Sequence, residues 1–217
     1  FPYWAAEHRA VRDNAGLIDM SFMSKFLVQG RDAAAALERL SANRVRGISG
    51  RITYTQWLND DGRLEADLTV TQLDEERFLM VATDTAHRHV QAWMRRHFAP
   101  DAHVFVADLS GAWAQLNLQG PRSRALLQTL TAADLSNTAF PFRAARESDL
   151  GYARVLAVRI TYVGGLGWDL GVPAEQALHV HECRVEAGRA LGRRPVGPQA
   201  PASLRPETGL RDHRPAP

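Results

Sequence analysis

The stretch from Gly62 to Thr71, GRLEADLTVT, alternates with a period of two. Leu64, Ala66, Leu68 and Val70 share one face of the implied strand, and Glu65, Asp67, Thr69 and Thr71 share the other. Aspartate is disfavoured in strands because its short carboxylate competes for backbone hydrogen bonds, so Asp67 is the position that most asks for a chemical explanation. A carboxylate fixed on a strand can orient an amine, accept its proton or offset a developing positive charge. The alternation by itself is equally satisfied by a solvated strand residue. Other groupings point less clearly to chemistry. His87/His89 and His179/His181 are spaced two apart, which on a helix directs them away from each other, and His179 with Cys183 supplies only two of the ligands a zinc site needs. No metal site is expected. There is no GxxxxGK[ST] phosphate loop and no HExxH, and GGLGWDLG misses the dinucleotide spacing GxGxxG.

The elements that would position these residues belong to an ordinary globular chain. With 217 residues, 45% apolar and 23% charged, the chain can bury a sizeable core in one large domain or two small ones. Its longest apolar runs are five residues, as in Phe78-Leu79-Met80-Val81-Ala82, far short of a membrane span, so a soluble protein is expected. From Cys183 onward seven arginines face three acids, leaving residues 1–182 at −2 within a total of +2; such a body is not a nucleic-acid-binding surface. Lys25 is the only lysine, read here as compositional bias. Cys183 is the only cysteine, which excludes an internal disulfide and fits a reducing compartment. The opening FPYWAAEHRAVRDNAG has neither an initiator Met nor a secretory pattern and reads as a chain cut into midway.

An amphipathic helix is expected from Ala5 to about Ala15, stopped by Gly16, then a strand around Phe26 and Val28 ending at Gly30, then a helix through AAAALERL capped by Asp32. ITYTQWLN and RLEADLTVT flank Asn59-Asp60-Asp61-Gly62, a strong hairpin signal, and RFLMVAT supplies a third strand before a helix capped by Asp84. Further along, VFVADLS, WAQLNLQG, FRAARES, YARVLAVRITY and WDLGV read as strands. Pro121 suits the first position of one helix, and Pro173 opens another through PAEQALHVHECRVEAG. Segregated strands and helices of this kind give an α+β fold with antiparallel sheets and flanking helices. Six of the eleven prolines fall from Pro195 onward, so no helix is expected through Pro198, Pro201 and Pro206.

In order along the chain, GLIDMSFMSKFLVQGRDA, ITYTQWLNDDGRLEADLTVT, RFLMVAT, LNLQGPRS and RITYVGGLGWDLGVPAEQAL resemble the folate-binding aminomethyltransferase family. That family comprises the T-protein of glycine cleavage and the C-terminal halves of dimethylglycine and sarcosine dehydrogenases, and the wording here is nearer to the dehydrogenase branch. An echo of the family's SLRLExG segment persists from Ser203 to Gly209. The resemblance implies two lobes of the T-protein-like fold: residues 1–108, with the family's opening segment missing, and residues 109–188, a ferredoxin-like second lobe. Residues 189–217 would form a weakly ordered tail, and the family's C-terminal barrel is absent.

The resemblance further implies a tetrahydrofolate-dependent enzyme that moves a one-carbon unit from an aminomethyl or imine donor to folate. Asp67 would be its catalytic carboxylate, and Met23, Tyr54, Val81, Thr83, Tyr162 and Asp169 its folate contacts. FAD would reside only on a separate dehydrogenase domain or subunit acting as partner, and no nucleic acid or membrane partner is implied. The compartment would be the cytoplasm or, alternatively, the mitochondrial matrix. Two departures stand out: Gly165 replaces a Glu usual in the family's YxGExG turn, and Asp169 stands one methylene shorter than the usual Glu. Each contact also has a plain reading, with Met23, Tyr54 and Val81 as core, Thr83 as a strand end, and Tyr162 and Asp169 as hairpin surface. The competing functional readings are a non-catalytic regulatory or scaffold member of the same fold and an inactive gene fragment. The KGCxxGQE signature of the iron–sulfur-assembly relatives is absent.

Overall fold

The computed structural model describes residues 3–189 and 194–210, which divide into two compact units. One comprises residues 21–113 with 143–146, and the other residues 1–20, 114–142 and 147–217. The first twenty residues thus group with the second half of the chain, unlike the division at residue 108 read from sequence. The chain runs α1 (Trp4–Asp13), β1 (Gly16–Asp19), β2 (Ser24–Gln29), α2 (Ala33–Leu40), β3 (Arg51–Leu58), β4 (Leu64–Gln72) and β5 (Arg77–Ala82). A short 3-10 turn, Asp84–Ala86, leads into α3 (His87–His97), β6 (Phe105–Asp108), β7 (Trp113–Gln119) and α4 (Ser123–Gln128). Then follow β8 (Ala145–Leu150), β9 (Ala153–Val158), β10 (Gly167–Pro173), a 3-10 turn at Ala174–Gln176, α5 (Ala177–Gly188), β11 (Arg194–Pro195) and α6 (Gln199–Glu207).

In the unit around residues 21–113 the sheet order is β3-β4-β5-β2-β6. The hairpin β3/β4 forms because Asn59 closes the turn on Arg63 and Gly62 takes a φ of 75°, a left-handed conformation that glycine adopts without Cβ strain. Period-two alternation sends Phe26, Val28, Trp57, Ala66, Leu68, Val70, Phe78 and Met80 into one core, closed by Leu37 of α2 and by Val90 and Met94 of α3. The side chains between them therefore occupy the opposite face of the sheet. Asp32 precedes α2, but its carboxylate accepts the His103 N–H at 2.8 Å and makes no cap bond. Likewise Asp84 does not cap α3: it starts the 3-10 turn, and the residue before α3, Ala86, makes no side-chain cap bond.

In the other unit the sheet order is β11-β1-β7-β10-β9-β8. The succession β7-α4-β9-β10-α5-β11 is the ferredoxin-like one, with β1 inserted between its last and first strands, parallel to β11 and antiparallel to β7. Trp168, Leu170 and Val172 on β10 and Leu116 and Leu118 on β7 are buried, and Phe140 meets Trp168 edge to face at 4.8 Å. Three expectations are corrected here. Gly16 is not the stop of α1, which ends at Asp13, but starts β1; α4 begins at Ser123, two residues after Pro121; and a helix, α6, does run through the proline-rich segment. Pro201 is tolerated because it sits among the first residues of α6, whose N–H groups have no intrahelical acceptor, and Pro206 sits in its last turn. His8 of α1 holds α6 by contacts to Ser203 Oγ at 2.6 Å and Glu207 Oε1 at 3.2 Å, and Arg12 pairs with Glu207 as well. Residues 194–207 of the expected weakly ordered tail are therefore structured; residues 190–193 and 211–217 lie outside the described residues.

Candidate functional site

Register decides which side chains meet on the face of the β3-β4-β5-β2-β6 sheet turned away from its core. Tyr54 lies opposite Thr69, Thr69 opposite Val81, and Val81 opposite Lys25, so these four form one row across four strands. Asp67 is two residues from Thr69 on the same face, and Tyr54 reaches it diagonally: its hydroxyl donates to Asp67 Oδ2 at 2.7 Å. The other carboxylate oxygen, Oδ1, is buried and has no hydrogen-bond partner among the described residues. Leaving such an acceptor unmet costs about 1–3 kcal/mol, so the arrangement holds a carboxylate with one oxygen fixed and the other buried without a partner.

Of the other residues expected at the site, Val81 belongs to the row just described, and Thr83 directly follows β5, its carbonyl accepting from the Ser24 hydroxyl at 3.2 Å. Met23 occupies the turn before β2, and its carbonyl, with that of Ser21, accepts the Lys25 ammonium at 2.6 and 3.0 Å. Lys25 is 2% exposed, so what reads in sequence as compositional bias is a buried cation that pins the Ser21–Met23 turn. The available signal was a lysine inside a β-forming segment, since lysine is rarely buried without a specific partner. Beside it, His87 bridges Ser24 Oγ and Asp108 Oδ2, each at 3.0 Å. The residue types are those of a nucleophilic triad, but Ser24 is 1% exposed and its hydroxyl is turned to the Thr83 carbonyl, so the chain of bonds ties β6 to the end of β5. Burial opposes ionisation of Asp108, but the hydroxyl and N–H of Ser110 and the adjacent His87 outweigh it and hold the carboxyl below the usual range. His89 points elsewhere, to Glu65 at 2.8 Å. Among the described residues no three His, Cys, Asp or Glu side chains converge as a metal site.

Asp169 and Tyr162 belong to the second unit. Asp169 is on β10, where Oδ2 accepts from the Gln115 amide at 2.6 Å. Tyr162 lies in the β9–β10 loop, with the Arg205 guanidinium 4.8 Å from its ring centroid and donating to its carbonyl at 2.9 Å. Both are served by a polar stripe on β7 that sequence reasoning overlooked: Gln115, Asn117 and Gln119 alternate on one face and are all buried. Gln119 donates to Asn117 at 2.8 Å and accepts from Thr161 and the Tyr162 N–H at 3.3 and 3.4 Å. The signal was in QLNLQ, whose amides alternate with leucines, but nothing local says that both faces of the strand are buried. Two concave spaces among the described residues lie near these elements. One of about 290 Å³ is lined by Arg159, Thr161 and the Gly164–Gly167 turn, and one of about 390 Å³ by arginines near residues 44–53; Asp67 lines neither.

The GCVT N-terminal domain family matches residues 1–214. The aminomethyltransferase of Bacillus subtilis (strain 168) is 36% identical over 205 residues, covering 94% of this chain and 56% of its own length. The sarcosine oxidase subunit alpha of Rhizobium meliloti (strain 1021) is 35% identical over 211 residues, covering 94% of this chain and 21% of its own. The crystal structure of glycine cleavage system aminomethyltransferase T from Bartonella henselae superposes with a TM-score of 0.83 at 28% identity, over 97% of this chain and 56% of that one. The chain thus spans about half the length of the aminomethyltransferases it matches and about a fifth of the oxidase subunit. The motif order, the two-sheet fold and these matches agree, and the chain belongs to the aminomethyltransferase family that carries the GCVT N-terminal domain.

Proposed function

We propose that this chain is a tetrahydrofolate-binding aminomethyltransferase-type domain that passes a one-carbon unit from an aminomethyl or imine donor to folate. The observation that carries the reading is the Tyr54–Asp67 pair, in which Oδ2 is held and the buried Oδ1 lacks a partner among the described residues. An oriented carboxylate whose second oxygen lacks a partner fits an amine-bearing ligand. Bound tetrahydrofolate would supply the nitrogen that receives the carbon. Asp67 would orient that amine, take its proton and offset the iminium charge of the donor; positioned base catalysis of this kind is typically worth about 10²–10⁴-fold. Tyr54, Met23 and Val81 would offer flat and apolar contact to the pterin, Thr83 and Tyr162 further contacts, and Asp169, oriented by Gln115, would accept from its amino-pyrimidine edge. Exclusion of water matters because a free imine hydrolyses to formaldehyde. The donor would come from a flavin dehydrogenase domain or subunit that carries the FAD, in the cytoplasm or the mitochondrial matrix.

Tetrahydrofolate titration of the parent, Asp67→Asn and Asp169→Ala tests the reading, together with methylene-tetrahydrofolate formation against formaldehyde release when a flavin dehydrogenase is supplied. Asp67→Asn is expected to bind like the parent and to lose turnover by about 10²-fold or more, while Asp169→Ala weakens binding. A parent that binds no folate favours the second reading, a non-catalytic regulatory or scaffold member or an inactive fragment. That reading draws on Gly165, which brings no carboxylate to the cavity its turn lines.

A further inference from the structure

The 390 Å³ cavity is independent of the folate reading. It is lined by Arg44, Arg46, Arg51 and Arg143, with Gly47 and Thr53 among its other walls. Its rim is held in place on both sides. Glu38 Oε2 accepts the N–H groups of Val45 and Arg46 at 2.9 and 3.0 Å, Gln72 accepts that of Gly47 at 2.9 Å, and Gly50 exchanges bonds of 2.7 Å with Gln72 and Ala145. Arg143 is the one non-glycine residue with positive φ, at 71°, among the described residues. An L-residue in that conformation carries a backbone cost that glycine or asparagine would largely avoid, so the side chain itself has to account for it. Its Nε donates to the Ile52 carbonyl at 2.9 Å and Nη2 to Thr53 Oγ1 at 3.0 Å. Two of five guanidinium donors are thereby used, and the others remain for the cavity.

The charges do not balance. Glu38 is the only carboxylate paired within this group: it lies 3.9 Å from Arg44 and is already engaged by two backbone N–H groups. Arg46, Arg51 and Arg143 have no carboxylate partner among the described residues. Burial, then the charge of Arg51, push the Arg143 guanidinium below its ordinary value, a sign of like charges brought together at partial burial. Planar guanidiniums around a concave space, that of Arg143 held by Ile52 and Thr53, suit multiply charged oxygen anions, which they can engage two bonds at a time.

We propose that this cavity is a binding site for a small, multiply charged oxyanion, a phosphate group or clustered carboxylates, gripped by Arg46, Arg51 and Arg143. The test is calorimetric titration of the protein with inorganic phosphate and, separately, with citrate, at constant ionic strength and against a chloride blank. Arg51→Ala, Arg46→Ala and Arg143→Asn are compared with the parent, asparagine being chosen because it accepts positive φ, and circular dichroism verifies that each variant is folded. Saturable binding of either anion that each substitution weakens by about tenfold or more, the equivalent of about 1.4 kcal/mol, supports the site, and the anion that binds identifies phosphate or carboxylate as its chemistry. Heats no greater than those of chloride, or binding that the folded variants retain unchanged, would overturn it. Folate titration in the same variants separates this site from the proposed folate site, since Arg51→Ala leaves Tyr54 and Asp67 in place.

Discussion

Two glycines in one turn differ in a way that makes a quantitative experiment. Gly167 and Gly165 both have φ outside the left-handed region, so the backbone accepts alanine at either. Around Gly165 an added Cβ meets nothing within 4 Å, whereas at Gly167 it would lie 2.3 Å from both Nε2 and Oε1 of Gln119. The Gln119 side chain could swing away only by leaving Asn117, Thr161 and Tyr162, and it has no solvent to turn to, being 0% exposed. One good hydrogen bond lost and one buried amide left unmet amount to about 2–3 kcal/mol, the two weaker bonds adding little. For a chain of this size each kcal/mol moves Tm by about 2–4 °C, so Gly167→Ala is expected to melt about 4–12 °C below the parent. Gly165→Ala should match the parent or exceed it slightly, because alanine narrows the unfolded ensemble by about 0.4–1 kcal/mol. Thermal melts followed by circular dichroism measure both. Adding Gln119→Ala to Gly167→Ala removes the clash, so the double variant is expected to be less destabilised than the sum of the singles. Equal melting temperatures for Gly165→Ala and Gly167→Ala would refute the packing argument and with it the account of β7's polar stripe.

Tyr54→Phe removes the hydroxyl that fixes Asp67 and nothing else. Because the pair is half exposed, folding stability should fall by no more than about 1 kcal/mol; under the proposed folate reading kcat falls with folate affinity little changed, and weakened folate affinity with kcat unchanged would assign Tyr54 to binding alone. Asp108→Asn tests the sign of a pH effect. The Asp108 carboxyl is held below its ordinary 3.8, so its charged form contributes stability that is complete above that value and lost as pH falls through the lower folded value. Parent and variant should accordingly differ in Tm at pH 7 and converge below pH 3.8, and a gap that persists into strong acid would count against the ionic account.

The meander was legible because its signals are local. Alternation in ITYTQWLN, RLEADLTVT and RFLMVAT assigns side chains to faces, and Asp61-Gly62 marks the turn, so the sequence alone places Asp67 on the face away from Leu68 and Val70. Helix ends were less legible: Asp32 has the right residue type for a cap, but its carboxylate is claimed by His103, seventy-one residues away. β1 was missed for the same kind of reason, since its partners β7 and β11 are remote in sequence.

The sequence by itself determined the α+β class, the hairpin that presents Asp67, and the family, through five motifs in order. Tertiary structure alone decided that Tyr54 grips Asp67, that Lys25 is buried under the Met23 turn, that β7 hides three amides, and that Arg143 joins Arg46 and Arg51 around one cavity. The physical reason is that local periodicity states which side chains share a face, whereas register, burial and the meeting of distant charges depend on strand partners that no stretch of the chain specifies alone.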